Sequence, residues 1–174
     1  MVEKIGLIHV YTGNGKGKTT AALGLGLRAC GNGLRVHMIQ FMKGRRYSEI
    51  DAIEKIPLFS VKQFGRDEFV NKKQPEQIDI DLAIKGFHYA QQVMNEKNYD
   101  VIILDEINVA IDYDLIPLQD VLTFLDEKPE HLELILTGRY AHPEIVKRAD
   151  IVSEILEIKH PYQQGIPSRK GIDW

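Results

Sequence analysis

The chain has one cysteine in 174 residues, and this scarcity excludes two kinds of structural staple. Cys30 has no second cysteine for an internal disulfide, and a thiolate zinc cluster needs several cysteines or histidines at close spacing. The six histidines show no such spacing. We therefore expect stability from an apolar core, in which Cys30 acts as a small buried hydrophobic residue.

Long apolar runs and a strong charge of one sign are also missing. No run approaches the roughly 18 residues of a membrane span, and the amino terminus lacks the features of a secretory signal. We expect one cytoplasmic domain, residues 1–174, with no membrane partner. A net charge of −3 gives no overall attraction to polyanions, so no nucleic-acid partner is expected. The basic run 43–46 is either a local nucleic-acid contact or a solvated loop.

Short β-rich apolar runs alternate with helical patterns along the whole chain. This alternation is typical of an α/β fold with a mainly parallel central sheet and helices on both faces. The charges within the last run suit a strand at the sheet edge. Strands are predicted at 5–11, 35–41, 59–64, 100–106, 133–137 and 150–160, and helices at 19–30, 48–57 with Ser48 as cap, 74–97, 117–128 and 143–148.

The segment "TGNGKGKTT", residues 12–20, lies between a predicted strand and a predicted helix. Backbone N–H groups in such a loop converge on phosphate, and glycines let the anion approach. Lys18 supplies positive charge, and the Thr19 hydroxyl can bind Mg²⁺. A flexible turn with accidental lysines is the alternative, which the flanking elements disfavour. The predicted nucleotide-binding residues of the loop are Gly13, Asn14, Gly15, Lys16, Gly17, Lys18, Thr19 and Thr20.

The apolar run "VIILDE" ends in Asp105 and Glu106, which resembles a Walker B strand. Strand ends of a parallel sheet share one rim, so both carboxylates join Thr19 as predicted metal ligands. Arg139 follows the next predicted strand and can neutralise charge on a leaving phosphate chain, unless it forms an ordinary surface ion pair. The predicted catalytic residues are Lys18, Thr19, Glu106 and Arg139.

These residues leave three functions open. Glu106 can activate water or an acceptor, as in a P-loop ATPase or a small-molecule kinase. It can instead hold the metal while another nucleophile attacks the nucleotide. A third alternative is a non-enzymatic regulatory module that binds ATP.

Longer motifs extend beyond the loop and the Walker B strand. The segments "VYTGNGKGKTTAALGLGLRACGNGLRVHMIQFMKG", "VIILDEINVAIDYDLIP" and "LILTGRYAHPEIVKRADIVSEILEIKHPYQQGI", with "KGIDW" at the end, closely resemble ATP:corrinoid adenosyltransferases of the CobA/CobO/BtuR class. The resemblance covers nearly the whole chain. A threonine in place of the first loop glycine is that family's own variant, which accounts for Thr12.

The resemblance implies a P-loop NTPase-like (RecA-like) three-layer fold and a specific reaction. The 5′-deoxyadenosyl group of ATP passes to the Co(I) of a reduced corrinoid and triphosphate leaves, in adenosylcobalamin biosynthesis or salvage. The nucleotide lies reversed in the loop, which exposes carbon 5′. Loop residues 13–20 hold triphosphate, Thr19 and Glu106 bind Mg²⁺, Arg139 assists, and Asp105 is a metal ligand or supports one. A reductase such as a flavodoxin and a homodimer are also implied.

The chain departs from its family pattern at two places. Some relatives carry "GFTW", whose aromatic rings pack under the corrin; here the region reads "QFGRDEFV", so Phe69 is the predicted corrinoid contact, with Phe64 or Tyr47 as substitutes. Ordinary packing is the alternative for each ring. Relatives also often carry an amino-terminal extension that covers a partner's site, whereas this chain starts almost at the first strand. Arguments about lids and dimers therefore transfer poorly.

Overall fold

A computed structural model describes residues 6–173 of the chain. Parallel strands alternate with helices throughout, as expected for βαβ units. The strands are β1 (Ile8–Thr12), β2 (Val36–Phe41), β3 (Phe59–Phe64), β4 (Val101–Asp105), β5 (Glu133–Thr137) and β6 (Ile151–Glu154). The helices are α1 (Lys18–Gly31), α2 (Ser48–Ile53), α3 (Gln77–Glu96), α4 (Ile107–Asp112), α5 (Leu118–Asp126) and α6 (Pro143–Arg148), followed by a short 3-10 helix (Pro161–Gln164).

The strands form one sheet in the order β3-β2-β4-β5-β1-β6, and every pairing is parallel. The predicted α/β fold class is thereby confirmed. β5 separates β1, which leads into the glycine-rich loop, from β4, which ends in Asp105. The carboxyl ends of β1, β2, β4 and β5 therefore meet at one rim, where open α/β sheets bind ligands.

Two apolar layers cover the sheet, one on each face. Helices α1 and α2 bury Ala22, Ala29 and Ile53 against one face. Helices α3 to α6 cover the other face, where a larger cluster includes Phe87 and Phe124. The apolar strands β2 and β4 are buried along their whole length, as expected for strands covered on both sides.

Several predicted boundaries differ from the structure. The last strand ends at Glu154 rather than at residue 160; it lies at the sheet edge as predicted, with all four residues exposed. Ser48 is the first residue of α2 and not its cap, which is Tyr47. Cys30 is only partly buried, against the cluster under α1. Residue 5, the predicted start of the first strand, lies outside the described residues.

The sequence prediction missed α4. This helix begins directly after Glu106, which adopts a left-handed backbone with φ of 65°. Its six residues are too few for helical periodicity to show, and its apolar residues continue the apolar run of β4. In the part of the chain that the structure describes, no helix has the length and apolarity to cross a bilayer.

His37 in β2 is a buried titratable group at the end of the sheet opposite the glycine-rich loop. It is 3% exposed, and its ring stacks on Tyr99 with 4.8 Å between centroids. Nδ1 lies 2.7 Å from Ser60 Oγ, whereas Nε2 is buried without a hydrogen-bond partner. Burial, helped by the charge of Lys62, lowers the pKa of His37 to about 4. The imidazole is therefore neutral in the folded protein at neutral pH.

We expect His37 to make the protein less stable as the pH falls from about 6.5 to about 4, because over that range the unfolded chain binds a proton that the folded chain does not. The contribution of His37 to the free energy of unfolding is fully present above pH 6.5. The loss approaches about 3 kcal/mol, since each pKa unit is worth about 1.4 kcal/mol. Urea unfolding of wild type and His37→Gln at several pH values measures the difference. His131→Gln, at an exposed site, is the control; equal slopes in all three proteins would contradict the prediction.

Candidate active site

The glycine-rich loop leaves β1 at Thr12 and enters α1 at Lys18. Gly13 and Gly17 have φ of 93° and 120°, a backbone region that glycine adopts without strain. A Cβ on Gly17 would meet nothing within 4 Å, so the loop backbone is open toward the adjacent cavity. This arrangement presents N–H groups and the start of a long helix to an anion.

The underside of the loop packs on the chain that follows β6. The Gly15 N–H donates to the Ile155 carbonyl oxygen at 2.7 Å. A Cβ on Gly13 would lie 2.4 Å from Ile155 O, and one on Gly15 would lie 2.6 Å from Leu156 O. Thr12 Oγ1 accepts a hydrogen bond from the Ala141 N–H at 3.3 Å, which ties the loop to the segment after β5. The residue that departs from the usual loop pattern thus has a structural contact.

Lys18 lies inside the loop in this structure. Its Nζ donates to the carbonyl oxygens of Gly13 and Gly15 at 2.8 and 2.7 Å, and the residue is buried. Burial lowers the pKa of Lys18, and the charge of Arg139 adds to the effect, while Glu106 opposes it. The ammonium therefore lies next to the open N–H groups, where it can supply charge to a bound anion.

The Asp105 carboxylate is the most buried charge of the site, with no exposed surface. Oδ1 accepts hydrogen bonds from Thr19 Oγ1 at 2.8 Å and Thr137 Oγ1 at 2.7 Å. Oδ2 accepts from Lys43 Nζ at 2.7 Å and Gln40 Nε2 at 3.1 Å. Burial raises the pKa of Asp105, but the Lys43 charge and these hydrogen bonds outweigh it and hold the pKa below its usual value.

Glu106, by contrast, has a carboxylate that lines the cavity. Its backbone N–H donates to Thr137 Oγ1 at 3.0 Å, which holds the left-handed turn. Within residues 6–173 no hydrogen bond to its side chain is observed. Burial and then the charge of Asp105 raise the pKa of Glu106, whereas Lys43 and Lys18 oppose the rise. A half-buried carboxylate that accepts no hydrogen bond from the described residues, next to the glycine-rich loop, is suited to bind a cation.

A cavity of about 850 Å³ opens at this rim of the sheet, within the range of small-molecule sites, about 300–1,000 Å³. The predicted site residues Asn14 to Thr20, Glu106, Arg139 and Phe69 all line it. Gly13 lies beneath the loop and does not. The lining also includes residues without a predicted role: Met42, Lys43, Val70, Val109, Tyr113, His160, Tyr162, Ile166 and Arg169.

The predicted aromatic residues have different positions. Phe69 is 92% exposed at the mouth of the cavity. Phe64 is buried in the core under α3, so the suggestion that it substitutes for Phe69 is wrong. Tyr47 lines the cavity, with Lys43 Nζ 5.7 Å from its ring centroid. Arg139 is exposed, and the described residues form no ion pair with it.

The carboxyl-terminal segment closes one side of the cavity, which the sequence did not predict. Lys16 Nζ lies 2.6 Å from Asp173 Oδ1 and donates to the Ile172 carbonyl oxygen at 2.8 Å. Arg169 also pairs with Asp173 at 3.1 Å. The hydrogen bond from Lys16 and those from Arg169 lower the pKa of Asp173. The tail is therefore fastened to the loop.

The basic run 43–46 is divided between the site and the surface. Lys43 reaches Asp105, while Arg46 pairs with Asp51 and Glu54 at 2.7 and 2.6 Å. The interpretation of Lys43 as part of a solvated loop or a nucleic-acid contact is therefore wrong. The position of Lys43 in the sequence could have indicated that it belongs to the site, because it follows β2, whose carboxyl end lies at the shared rim. Thr137 and Gln40 lie near their strand ends in the same way.

The residues present fit a magnesium ion that arrives with phosphate. Residues 6–173 contain no group of three histidine, cysteine or acidic side chains placed to hold a metal. Mg²⁺ keeps several waters and is commonly bound by one or two carboxylates and substrate phosphates. The Thr19 hydroxyl and the Glu106 carboxylate are the oxygen ligands that this rim offers.

Comparison with known proteins identifies related sequences and solved structures with a similar fold. A model of the family "ATP:corrinoid adenosyltransferase BtuR/CobO/CobP" matches residues 4–174. Corrinoid adenosyltransferase CobA of Salmonella typhimurium is 35% identical, and corrinoid adenosyltransferase of Escherichia coli K12 is 36% identical. Each alignment covers 99% of this chain and 87% of the relative. KaiC-like protein PH0186 of Pyrococcus horikoshii has a similar fold, with TM-score 0.55, 18% identity, and coverage of 88% of this chain and 73% of that one.

We expect Gly15→Ala to weaken ATP binding and to lower the free energy of unfolding by about 1–3 kcal/mol, because the new methyl group collides with backbone and not with a flexible side chain. Gly24→Ala is the matched control: it lies in α1 with nothing within 4 Å, and alanine there should stabilise the helix by up to about 1 kcal/mol. Calorimetric titration with ATP and thermal unfolding measure both effects. Wild-type affinity in Gly15→Ala would show that the packing of the loop on residues 155–156 does not matter.

Proposed function

The chain belongs to the ATP:corrinoid adenosyltransferase family, and we propose that its cavity binds ATP and a reduced corrinoid and that its own loop residues carry the transfer. The observation that supports this assignment most is a juxtaposition. The open face of the loop, the Glu106 carboxylate and exposed aromatic rings line one cavity. A polyphosphate and a large planar ring can thus lie side by side.

The reaction needs little covalent chemistry from the protein. The cobalt of a reduced corrinoid donates an electron pair to carbon 5′ of ATP. A cobalt–carbon bond forms, the bond from carbon 5′ to oxygen breaks, and triphosphate leaves with the electron pair. The protein contributes by aligning the two reactants and by stabilising charge on the leaving group.

We assign the triphosphate to the loop. N–H groups on the open face of the loop, within residues 16–20, bind its oxygens, and Lys18 turns from the carbonyl oxygens of Gly13 and Gly15 to the bound anion. Arg139, exposed on the cavity wall and unpaired within the described residues, supplies a second positive charge. These groups act most strongly on the departing triphosphate, because its charge grows as the bond breaks.

Thr19 and Glu106 would hold Mg²⁺ beside the phosphates. When bound, Mg²⁺ neutralises part of the charge on the triphosphate oxygens. Asp105 supports this site without binding the metal directly, since its two oxygens already accept four hydrogen bonds from buried or partly buried donors. Its Oδ1 orients the Thr19 hydroxyl, so that the remaining lone pairs of that oxygen face the cavity.

The nucleotide is proposed to lie reversed in the loop relative to P-loop hydrolases. In this orientation carbon 5′ is free to face the corrinoid. Phe69 and Tyr47, at the mouth of the cavity, are the proposed contacts of the corrin ring. An exposed phenylalanine favours such a partner, because burying its apolar surface against the ring is favourable.

We also propose that residues 1–174 form one domain, which the single sheet supports. A reductase such as a flavodoxin supplies the reduced corrinoid, because each turnover consumes one Co(I) corrinoid, which must be made by reduction. The protein is a homodimer, as the family resemblance implies. The use of ATP supports a cytoplasmic location.

Anaerobic incubation of the protein with ATP, Mg²⁺ and chemically reduced cobalamin tests the function. We expect a light-sensitive cobalt–carbon product and inorganic triphosphate in equal amounts. The control omits the corrinoid and should yield neither. ADP and phosphate released at the same rate without corrinoid would instead identify a P-loop ATPase or a kinase, and tight ATP binding without any product would favour a regulatory module.

In the same assay, Lys18→Ala should lower the transfer rate at least about 100-fold, because one donor to a developing anion is worth about that much. Lys85→Ala removes a charge on the exposed face of α3 and serves as the matched control. Thermal unfolding shows whether each variant is folded. An unchanged rate in folded Lys18→Ala would contradict the role assigned to the loop.

A further inference from the structure

Lys43 forms an ion pair with Asp105, although it lies outside both the glycine-rich loop and the Walker B strand. It follows β2, and its side chain is 17% exposed. Its Nζ lies 2.7 Å from Asp105 Oδ2 and 3.3 Å from Thr19 Oγ1. The ammonium therefore bridges the Walker B carboxylate and the loop hydroxyl.

The contact with Thr19 is important because of how that hydroxyl is used. Its proton is donated to Asp105 Oδ1 at 2.8 Å, so only oxygen lone pairs remain for other partners. Lys43 takes one of them in this structure. The same oxygen is the proposed ligand of Mg²⁺. An ammonium thus already lies at the oxygen groups that would attract a metal ion.

The Asp105 carboxylate is compensated without a metal, because Lys43 pairs with it. Glu106 has Lys43, Lys18 and Arg139 as nearby positive charges. A free divalent cation would meet a compensated site and a nearby positive charge.

We propose that Lys43 is a built-in counter-ion that keeps free divalent metal out of the Thr19–Asp105 pair until ATP is bound. The negative charges of the triphosphate then outweigh the positive charge of Lys43, so the metal binds together with ATP. The proposal rests on the proposed function only in taking Thr19 as a metal ligand. Lys43 is by this account a positioning residue that controls the order of metal and nucleotide binding.

Electrostatics favours this role over a purely structural one. A dication and an ammonium about 4 Å apart repel each other appreciably even when water screens them fully. Mg²⁺ also gives up its waters reluctantly, so a site must offer net negative charge to hold it. Removing the Lys43 charge while keeping the apolar stem leaves Asp105 Oδ2 with a free lone pair toward the cavity.

The test uses full-length protein and Mn²⁺ alone, with no nucleotide and no corrinoid. Mn²⁺ binding is measured by electron paramagnetic resonance in wild type and in Lys43→Met. We expect Lys43→Met to bind Mn²⁺ at least about tenfold more tightly. Lys62→Met is the matched control, because that lysine lies on β3 with its Nζ 3.9 Å from the Tyr89 ring centroid and away from the cavity. Its affinity for Mn²⁺ should equal that of wild type.

Thermal unfolding separates the proposed role from simple loss of an ion pair. Lys43→Met should unfold at a lower temperature than wild type, because Asp105 loses a buried partner. Millimolar Mg²⁺ should restore part of that loss in Lys43→Met and leave wild type unchanged. The double variant Lys43→Met/Asp105→Asn also lacks the Asp105 charge that Lys43 leaves unpaired, so Mg²⁺ should not stabilise it. Lys43→Gln keeps a neutral donor for Asp105 and gives the same comparison if Lys43→Met does not fold.

Equal Mn²⁺ affinity in wild type, Lys43→Met and Lys43→Gln would overturn the proposal, as would loss of stability that Mg²⁺ does not restore. Neither result depends on adenosyl transfer. Failure of the transfer assay would instead bear on the proposed function, because that assay supplies ATP and corrinoid and this one supplies neither.

Discussion

The buried carboxylate of Asp105 is the constraint on which the site depends. A charge without solvent exposure is costly unless its acceptors are all used, and here donors from β2, β5, the loop helix and the segment after β2 use them. The hydrogen bonds therefore fix the distance between the sheet and the phosphate loop. Glu106, the next residue, is held in a left-handed turn whose N–H bonds the Thr137 hydroxyl. The buried carboxylate of Asp105 thus positions the Glu106 carboxylate, which lines the cavity.

The strand order makes this arrangement possible. β5 lies between β1 and β4, so Thr137 at its end is close to both Asp105 and Glu106. The Thr137 hydroxyl donates a hydrogen bond to the Asp105 carboxylate and accepts one from the Glu106 backbone N–H. The loop approaches the same point from β1. A cavity forms beyond these strand ends, since the helices that follow the strands leave in different directions at a topological switch point. The glycine-rich loop, Asp105 and Glu106 therefore lie at the same rim.

Sequence reasoning identified the features that depend on local pattern. The glycine spacing of 13–17, the apolar run before Asp105 and the alternation of strands with helices each follow from backbone geometry over a few residues, and all appear in the structure. The contacts of Lys43 with Asp105 and of the carboxyl-terminal segment with Lys16 did not emerge, because they join chain segments that meet only in three dimensions. Helix α4 was missed for another reason. Its apolar residues continue those of β4, and six residues are too few to show the helical periodicity of apolar positions.

The conformation of the glycine-rich loop depends on residues outside the segment 12–20. Gly13 and Gly15 lie on the carbonyl oxygens of residues 155–156, and those residues follow the last strand of the sheet. During synthesis on the ribosome the loop is made early, yet the backbone beneath it is made late. A nascent chain therefore lacks the backbone on which this loop rests until β6 has paired with β1.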